Sequence, residues 1–231
     1  MKNIVILSGA GMSAESGIST FRDSNGLWEN HDVTEVASPQ GWKKNRELVL
    51  DFYNQRRRQL KTVKPNAGHS ALVELESHFD VRIVTQNIDD LHERAGSDQI
   101  YHLHGELRKA RSTVDHRLIY HWEEDIKLGD RCEKGSQLRP HIVWFGEPVP
   151  MIEKALQLVL EADCIIIIGT SMQVYPAAGL VGYAKKDASI YYIDPRPTIN
   201  YELQSLSNLE VIAAKATVGT RQLVDHLLSN S

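Results

Sequence analysis

The sequence predicts an α/β fold: a doubly wound parallel sheet carrying a small second module formed by two insertions. Three observations lead there. Five short segments, at residues 4–7, 81–85, 164–168, 190–193 and 209–213, are β-branched and apolar on both faces, as strands buried in a parallel sheet are. Stretches of helical spacing separate them, and alternating strands and helices build a parallel sheet with its ligand at the carboxyl ends. Two stretches, 26–66 and 109–138, break that alternation.

In chain order, the strand at 4–7 runs straight into a glycine turn. Residues 26–65 hold one long helical pattern, 46–61, and no strand. Residues 68–77 set Ala71, Leu72 and Leu75 on one helical face, with Asn66 placed to cap it. After the strand at 81–85, residues 109–138 are charged and poor in apolar side chains. Helical spacing returns at 152–160, 177–185 and 221–228, between and after the last three strands. One domain is expected, its sheet part drawn from 1–25, 67–108 and 139–231 and its small module from 26–66 and 109–138.

The chain has 231 residues, 42% hydrophobic and 24% charged, an ordinary globular balance. Its formal charge is 26 − 30 = −4, which argues against nucleic acid as the main partner, because phosphate-binding faces carry a basic excess. Only Cys132 and Cys164 are present, so no disulfide framework exists and a reducing cytoplasm is expected. The apolar runs are too short for a secretory segment or a membrane span. A soluble monomer is expected.

Four clusters carry the chemistry. Gly9-Ala10-Gly11 follows the first strand, with Ser13 and Ala14 behind it; small residues there let the backbone approach a pyrophosphate at a helix N-terminus. A plain strand-to-helix turn looks much the same, so this match alone is weak. A dehydrogenase would follow it with a second strand ending in an acidic residue, yet residues 19–26 are a polar loop, which disfavours hydride transfer. The second cluster is Thr85-Gln86-Asn87-Ile88-Asp89-Asp90 at a strand's carboxyl end. Helix capping explains Asp89 or Asp90 but not the two amides. The third is His102-Leu103-His104-Gly105, in which His104 suits proton transfer near neutral pH and His102 faces the opposite side. The fourth is Gly169-Thr170-Ser171, a second glycine turn with hydroxyls suited to phosphate or ribose.

Together with HIVWFGE and GTSMQVYPAAG, the stretches GAGMSAESGISTFRD, TQNID and HLHGEL closely resemble the sirtuin family of NAD-dependent protein-lysine deacylases, in the family's order and over nearly the whole chain. The resemblance implies a Rossmann-like domain plus a small module, and a reaction that consumes NAD. The acyl-lysine carbonyl oxygen attacks the anomeric carbon of the ribose, yielding deacylated lysine, nicotinamide and O-acyl-ADP-ribose. It implies that Gly9, Ala10, Gly11 and Ser13 hold the pyrophosphate and that Phe21 and Arg22 lie on a cofactor loop. Gln86, Asn87 and Asp89 would orient the ribose and form the nicotinamide pocket, with Asn87 and His104 as the catalytic pair and His104 as the base. Gly169, Thr170, Ser171, Asp194 and Ala216 would serve the adenosine half. Val143, Phe145, Gly146 and Val174 would contact the peptide, held as a strand between two segments.

The chain departs from the family at several positions. Most sirtuins bind a structural zinc through two Cys pairs; here 109–138 holds only Cys132, with Ser112 where a first Cys is expected. A substitute site from His116, His121 and Cys132 matches no familiar spacing. No zinc is expected, and packing of Leu118, Ile119, Tyr120 and Trp122 would hold the module instead. Asp194 stands where an Asn usually contacts ribose; its carboxylate still accepts from hydroxyls but repels a 2′-phosphate, favouring NAD over NADP. Ser19 replaces a common Pro.

Substrate choice turns on residues 52–58. Tyr53 and Arg56 share a helical face, and a guanidinium fork beside a phenol is a carboxylate clamp, while Arg57 or Arg58 reads as a solvated basic face. The desuccinylase and demalonylase branch of the family carries this Tyr-x-x-Arg spacing with a small Ala, matched by Ala37. Acidic acyl-lysines, with some acetyl-lysine, are therefore the expected substrates. A mono-ADP-ribosyltransferase and a non-catalytic NAD or ADP-ribose binding module remain the alternatives.

Overall fold

The computed structural model describes residues 1–19, the backbone of 27–28, and residues 31–230. In chain order the elements are β1 (Asn3–Ser8), α1 (Ala10–Ala14), β2 (Leu27–Trp28), β3 (His31–Asp32), α2 (Val33–Val36), α3 (Pro39–Lys44) and α4 (Arg46–Leu60). Then come α5 (Ala67–Leu75), β4 (Asp80–Thr85), α6 (Leu91–Ala95), β5 (Ile100–His102), β6 (Gly105–Ser112), β7 (Ile119–His121) and β8 (Leu138–Ile142). The chain closes with α7 (Ile152–Glu161), β9 (Cys164–Ile168), β10 (Ser189–Ile193), α8 (Tyr201–Gln204), β11 (Leu209–Ile212) and α9 (Ala216–Ser229).

Six strands form one parallel sheet in the order β11-β10-β9-β1-β4-β5. This is the doubly wound arrangement of the Rossmann fold, with its switch point between β1 and β9, where such sheets bind ligands. Strand alternation splits the core cleanly. Val5 and Leu7 of β1 and Ile165 and Ile167 of β9 pack with Ala155, Leu158 and Val159 of α7. Ile4, Ile6, Ile166 and Ile168 turn to the other face, against Ala71, Leu72 and Leu75 of α5 and Leu223 and Val224 of α9. Each fully buried aliphatic side chain of this kind stabilises the fold by about 1.5–3 kcal/mol, so a charge at Ile166 would disrupt both the sheet and the site above it.

The long helical pattern of 46–61 is α4, and its Asn45 cap accepts from Leu48 N at 3.1 Å. The stretch before it is less uniform than its sequence suggests: two short helices and the two-residue ladder β2–β3 precede α4. Residues 177–185 form 3-10 turns over Ala177–Tyr183, and the last helix begins at Ala216 rather than 221. The edge strand β5 carries too few residues to register as a strand from sequence alone.

A third apolar cluster packs α2–α4 against a three-stranded antiparallel sheet ordered β7-β6-β8. Leu118, Tyr120 and Trp122 pack against it. Ile119 does not: it is exposed, because successive residues of β7 point to opposite faces. No helix among the described residues is long and apolar enough to cross a membrane.

Candidate active site

The two glycine turns meet at the switch point. Gly9 N donates to Ile168 O at 3.0 Å, and Gly11 N to Gly169 O at 2.7 Å. A Cβ on Gly11 would lie 2.7 Å from Gly169 Cα. On Gly169, whose φ is +60°, it would lie 2.3 Å from Met12 N. Only glycine allows this approach. Behind the turn, Asn66 caps α5 through Gly68 N at 2.9 Å and spends its amide on Met12 O at 2.8 Å and Ser16 Oγ at 3.0 Å. The cap therefore fixes the turn as well as the helix.

One cavity of about 590 Å³ opens above this point. Gly9, Ala10, Gly11 and Ser13 of the first glycine turn, Gly169, Thr170 and Ser171 of the second, and Asp194 and Ala216 line it. Gln86, Asn87, Asp89 and His104 line its centre. Ala37, Tyr53 and Arg56 come from the helical module, and Val143, Phe145, Gly146 and Val174 from the rim. Phe21 and Arg22 lie outside the described residues. The sheet part and the small module thus share one cavity.

At its centre Asn87 Nδ2 donates to Ser13 Oγ at 3.1 Å, and Ser13 Oγ donates to Asp89 Oδ2 at 2.9 Å. Burial raises the Asp89 carboxyl above its ordinary range, against the hydrogen bonds from Leu91 N and Ser13. Asp89 Oδ1 also accepts from Leu91 N at 3.1 Å, from one residue before Asp90, the N-cap of α6, whose own side chain makes no capping bond. Gln86 Nε2 reaches Thr170 Oγ1 at 3.1 Å and ties β4 to the second glycine turn.

His104 Nδ1 lies 3.1 Å from Gln86 O. A carbonyl only accepts, so Nδ1 carries the proton and Nε2 holds a lone pair. Burial lowers the pKa of this ring below 6.5, with the Gln86 contact opposing it. A neutral imidazole with a basic Nε2 is the form a general base requires. Gly105 turns the chain sharply behind it at φ +85°, and a Cβ there would meet His141 O at 2.0 Å. His102 faces the opposite way, as its spacing predicts. Its Nδ1 lies 2.9 Å from Asn87 O and its Nε2 2.7 Å from Glu93 Oε1. Both partners only accept, so both ring nitrogens are protonated. Burial opposes that charge, but the bond and attraction to Glu93 win and raise its pKa.

The rim segment is held from behind. Glu147 accepts from Arg139 at 2.7 Å, Arg111 at 2.9 Å and Trp144 N at 2.9 Å. Val143 N donates to His104 O at 2.9 Å and Phe145 N to Ala37 O at 3.0 Å. Tyr53 is fully buried, its hydroxyl accepting from Trp144 Nε1 at 3.1 Å. Arg56 is 6% exposed; its Nη1 donates to Phe52 O at 2.6 Å and its guanidinium lies over the Phe52 ring. Arg58 is the solvated cation of the helix. Arg57 is buried, bonded to Leu107 O at 2.9 Å and Asn54 Oδ1 at 2.7 Å.

The family's zinc position does not fit a metal here. Ser112 Oγ and Ser136 Oγ lie 2.9 Å apart, and Cys132 Sγ lies 3.4 and 3.1 Å from them. One thiol with two hydroxyls, already bonded to one another, is not a zinc donor set. Among the described residues the one group of three that could gather round an ion is Glu93, His102 and Glu106; His116, His121 and Cys132 do not converge.

A dinucleotide-type sheet whose switch-point cavity is lined by an amide, a carboxylate and a neutral histidine defines the class of nucleotide-binding α/β proteins. The chain matches the Sir2 family over residues 9–176, and it belongs to that family. A Helicobacter pylori NAD-dependent protein deacylase is 66% identical over 196 residues, 85% of this chain and 86% of the relative. One from Bacteroides thetaiotaomicron is 51% identical over 230 residues, 97% and 98% of the two. A crystal structure of a Sir2 homolog–NAD complex superposes with a TM-score of 0.88 at 40% identity, covering 99% of this chain and 90% of that one. A Sir2 mutant–p53 peptide–NAD complex gives 0.79 at 27%, covering 99% and 94%.

Sequence reasoning missed Ser8 and His92 behind the centre, and it placed Thr85 in the polar cluster and Trp144 and Glu147 in the rim segment without seeing the supporting bonds they make. A run of polar residues at the carboxyl end of a buried strand was the available signal for Ser8 and Thr85. Nothing in sequence links Trp144 to Tyr53.

Proposed function

We infer that this chain is an NAD-dependent protein deacylase that takes acidic acyl groups, succinyl and malonyl, from lysine, and acetyl more slowly. Deacylation with NAD as co-substrate follows from the family and from relatives that bear that name. The observation that carries the acyl preference is that Tyr53 and Arg56, both buried, line the same cavity as His104, beside the small Ala37. A buried guanidinium near a phenol hydroxyl recognises a carboxylate and gains little from a methyl group.

In this reading the pyrophosphate lies on Gly9, Ala10, Gly11 and Ser13, and the adenosine half on Gly169, Thr170, Ser171, Asp194 and Ala216. Gln86, Asn87 and Asp89 hold the ribose and nicotinamide while the acyl oxygen attacks the anomeric carbon. His104 Nε2 then takes a proton from a ribose hydroxyl, which attacks the resulting intermediate. The peptide runs as a strand between Val143–Gly146 and Val174. The alternative acceptors of ADP-ribose give the carboxylate-binding chemistry of Tyr53 and Arg56 no role.

We further propose that the small module folds without zinc, its Ser112–Cys132–Ser136 contacts standing in the metal's place. The deciding experiment is a panel of acetyl-, malonyl- and succinyl-lysine peptides with NAD on wild type and Arg56→Met. A succinyl-to-acetyl ratio that Arg56→Met leaves unchanged overturns the acyl reading.

A further inference from the structure

Behind the reacting centre lies a chain of buried polar groups that the reaction itself does not use. Asn87 N donates to Thr85 Oγ1 at 3.0 Å. Ser8 Oγ donates to the same oxygen at 2.9 Å and lies 3.0 Å from His92 Nε2. His92 packs edge-to-face on His69, ring centroids 4.9 Å apart. All four of Ser8, Thr85, His69 and His92 are essentially inaccessible to solvent.

The proton positions follow from the partners. Asn66 N donates to His69 Nδ1 at 3.2 Å, so that nitrogen is the acceptor and His69 Nε2 bears the hydrogen. Ser8 Oγ has given its own hydrogen to Thr85, so it accepts from His92 Nε2–H, and His92 Nδ1 keeps a lone pair. The two ring atoms without a partner are then one donor, His69 Nε2, and one acceptor, His92 Nδ1. Both rings are held neutral by burial, His69 at about 4 and His92 well below 6.5. The Thr85 hydroxyl oxygen is where the series converges: it accepts from Ser8 on one side and from Asn87 N on the other.

We propose that His92 is a positioning residue for NAD cleavage: through Ser8 and Thr85 it fixes the main-chain amide of Asn87, with its ring packed edge-to-face on the buried His69. The carbonyl of the same Asn87 is held by His102, so the peptide units before and after its Cα are each fixed by a buried histidine network. Asn87 Nδ2, Ser13 and Asp89 follow from that placement. A reacting centre held within a few tenths of an ångström needs such a supporting layer.

The inference rests on Asn87 acting at the reacting centre, so Asn87→Ala is included as a control. Peptide-dependent nicotinamide release is measured for His92→Phe, His92→Gln, Ser8→Ala and Thr85→Val, with thermal unfolding of each. Ser8→Ala and His92→Phe should lower kcat about tenfold or more, with KM for the peptide within about twofold, as loss of one buried hydrogen bond predicts. His92→Gln, which keeps a donor, should recover part of the loss. Ser8→Ala with His92→Phe should be no slower than the slower single variant, because both break one series. If His92→Phe does not fold, Ser8→Ala combined with His92→Gln decides the point in the same way. Wild-type kcat in folded Ser8→Ala, or losses that multiply, overturns the positioning role alone. An active Asn87→Ala overturns it together with the assignment of Asn87.

Discussion

The Trp144 indole donates to the Tyr53 hydroxyl at 3.1 Å, joining the rim segment to the middle of α4 across 91 positions of sequence. Burial holds the Tyr53 hydroxyl protonated far above its ordinary range, so it enters the cavity as a neutral group able to donate. The indole orients it. Trp144→Phe, which removes the donor and keeps the ring, is expected to slow desuccinylation several-fold and leave deacetylation nearly unchanged. Tyr53→Phe should behave alike, and Arg56→Met should cost about 10- to 100-fold on succinyl peptides, the range of a charge-assisted hydrogen bond. Steady-state rates on matched succinyl and acetyl peptides measure the difference.

His104 is expected to act as a base to lower pH than a free imidazole. Burial lowers its pKa below 6.5; a base is active when neutral, so activity falls only as pH drops through that lowered value. The acid limb of kcat/KM should therefore lie below pH 6.5 and vanish with turnover in His104→Tyr. A limb above 6.5 contradicts the assignment.

The glycine contact at the switch point is expected to be intolerant of a methyl group. Gly169→Ala adds both a left-handed strain and a Cβ 2.3 Å from Met12 N. Such overpacking against backbone costs about 1–3 kcal/mol or more and pushes the first glycine turn away from the cofactor. Thermal unfolding should fall by several degrees and KM for NAD should rise. An unchanged KM argues that the turn does not carry the pyrophosphate.

Glu147 links rim stability to pH. Burial opposes its charge, but the bonds from Arg139, Trp144 N and Arg111 win and depress its pKa below 4.5. A depressed carboxylate contributes stability that is fully present above its unfolded pKa and is lost as pH falls through the folded one. The unfolding temperature should therefore drop steeply below about pH 4.5, and Glu147→Gln should flatten that slope. Leaving Arg139 and Arg111 without their carboxylate should itself cost about 3–5 kcal/mol near neutral pH.

Metal analysis of purified protein should find zinc well below one equivalent per chain, and chelator should leave the unfolding temperature in place. Stoichiometric zinc lost to chelator with a large drop in stability would overturn the metal-free module.

The five long strands, the helix 46–61 and the four polar clusters were legible because each rests on local chemistry: apolar runs, a capping Asn, glycine followed by small residues. Tyr53 and Arg56 could be paired from spacing alone, since residues three apart share a helical face. So could the outward turn of His102. What sequence could not order was the sheet. Gly9 and Gly169 are 160 positions apart by number, and only the crossover that brings β9 beside β1 makes them touch. The same crossover brings Thr170 to Gln86. The small sheet was invisible because β6 and β8 bury charged and polar side chains, among them Arg111, Ser112 and Arg139, so their sequence has the look of a polar loop. Sequence could not say which of Arg57 and Arg58 is the solvated cation; folding leaves Arg58 exposed and gives Arg57 Leu107 O and Asn54 as partners. The residue types that do the chemistry were thus set locally, whereas the contacts that orient them, Trp144 on Tyr53 and His92 behind Asn87, arise between distant segments. Such contacts depend on the packing of the sheet and module, and periodicity carries no record of them.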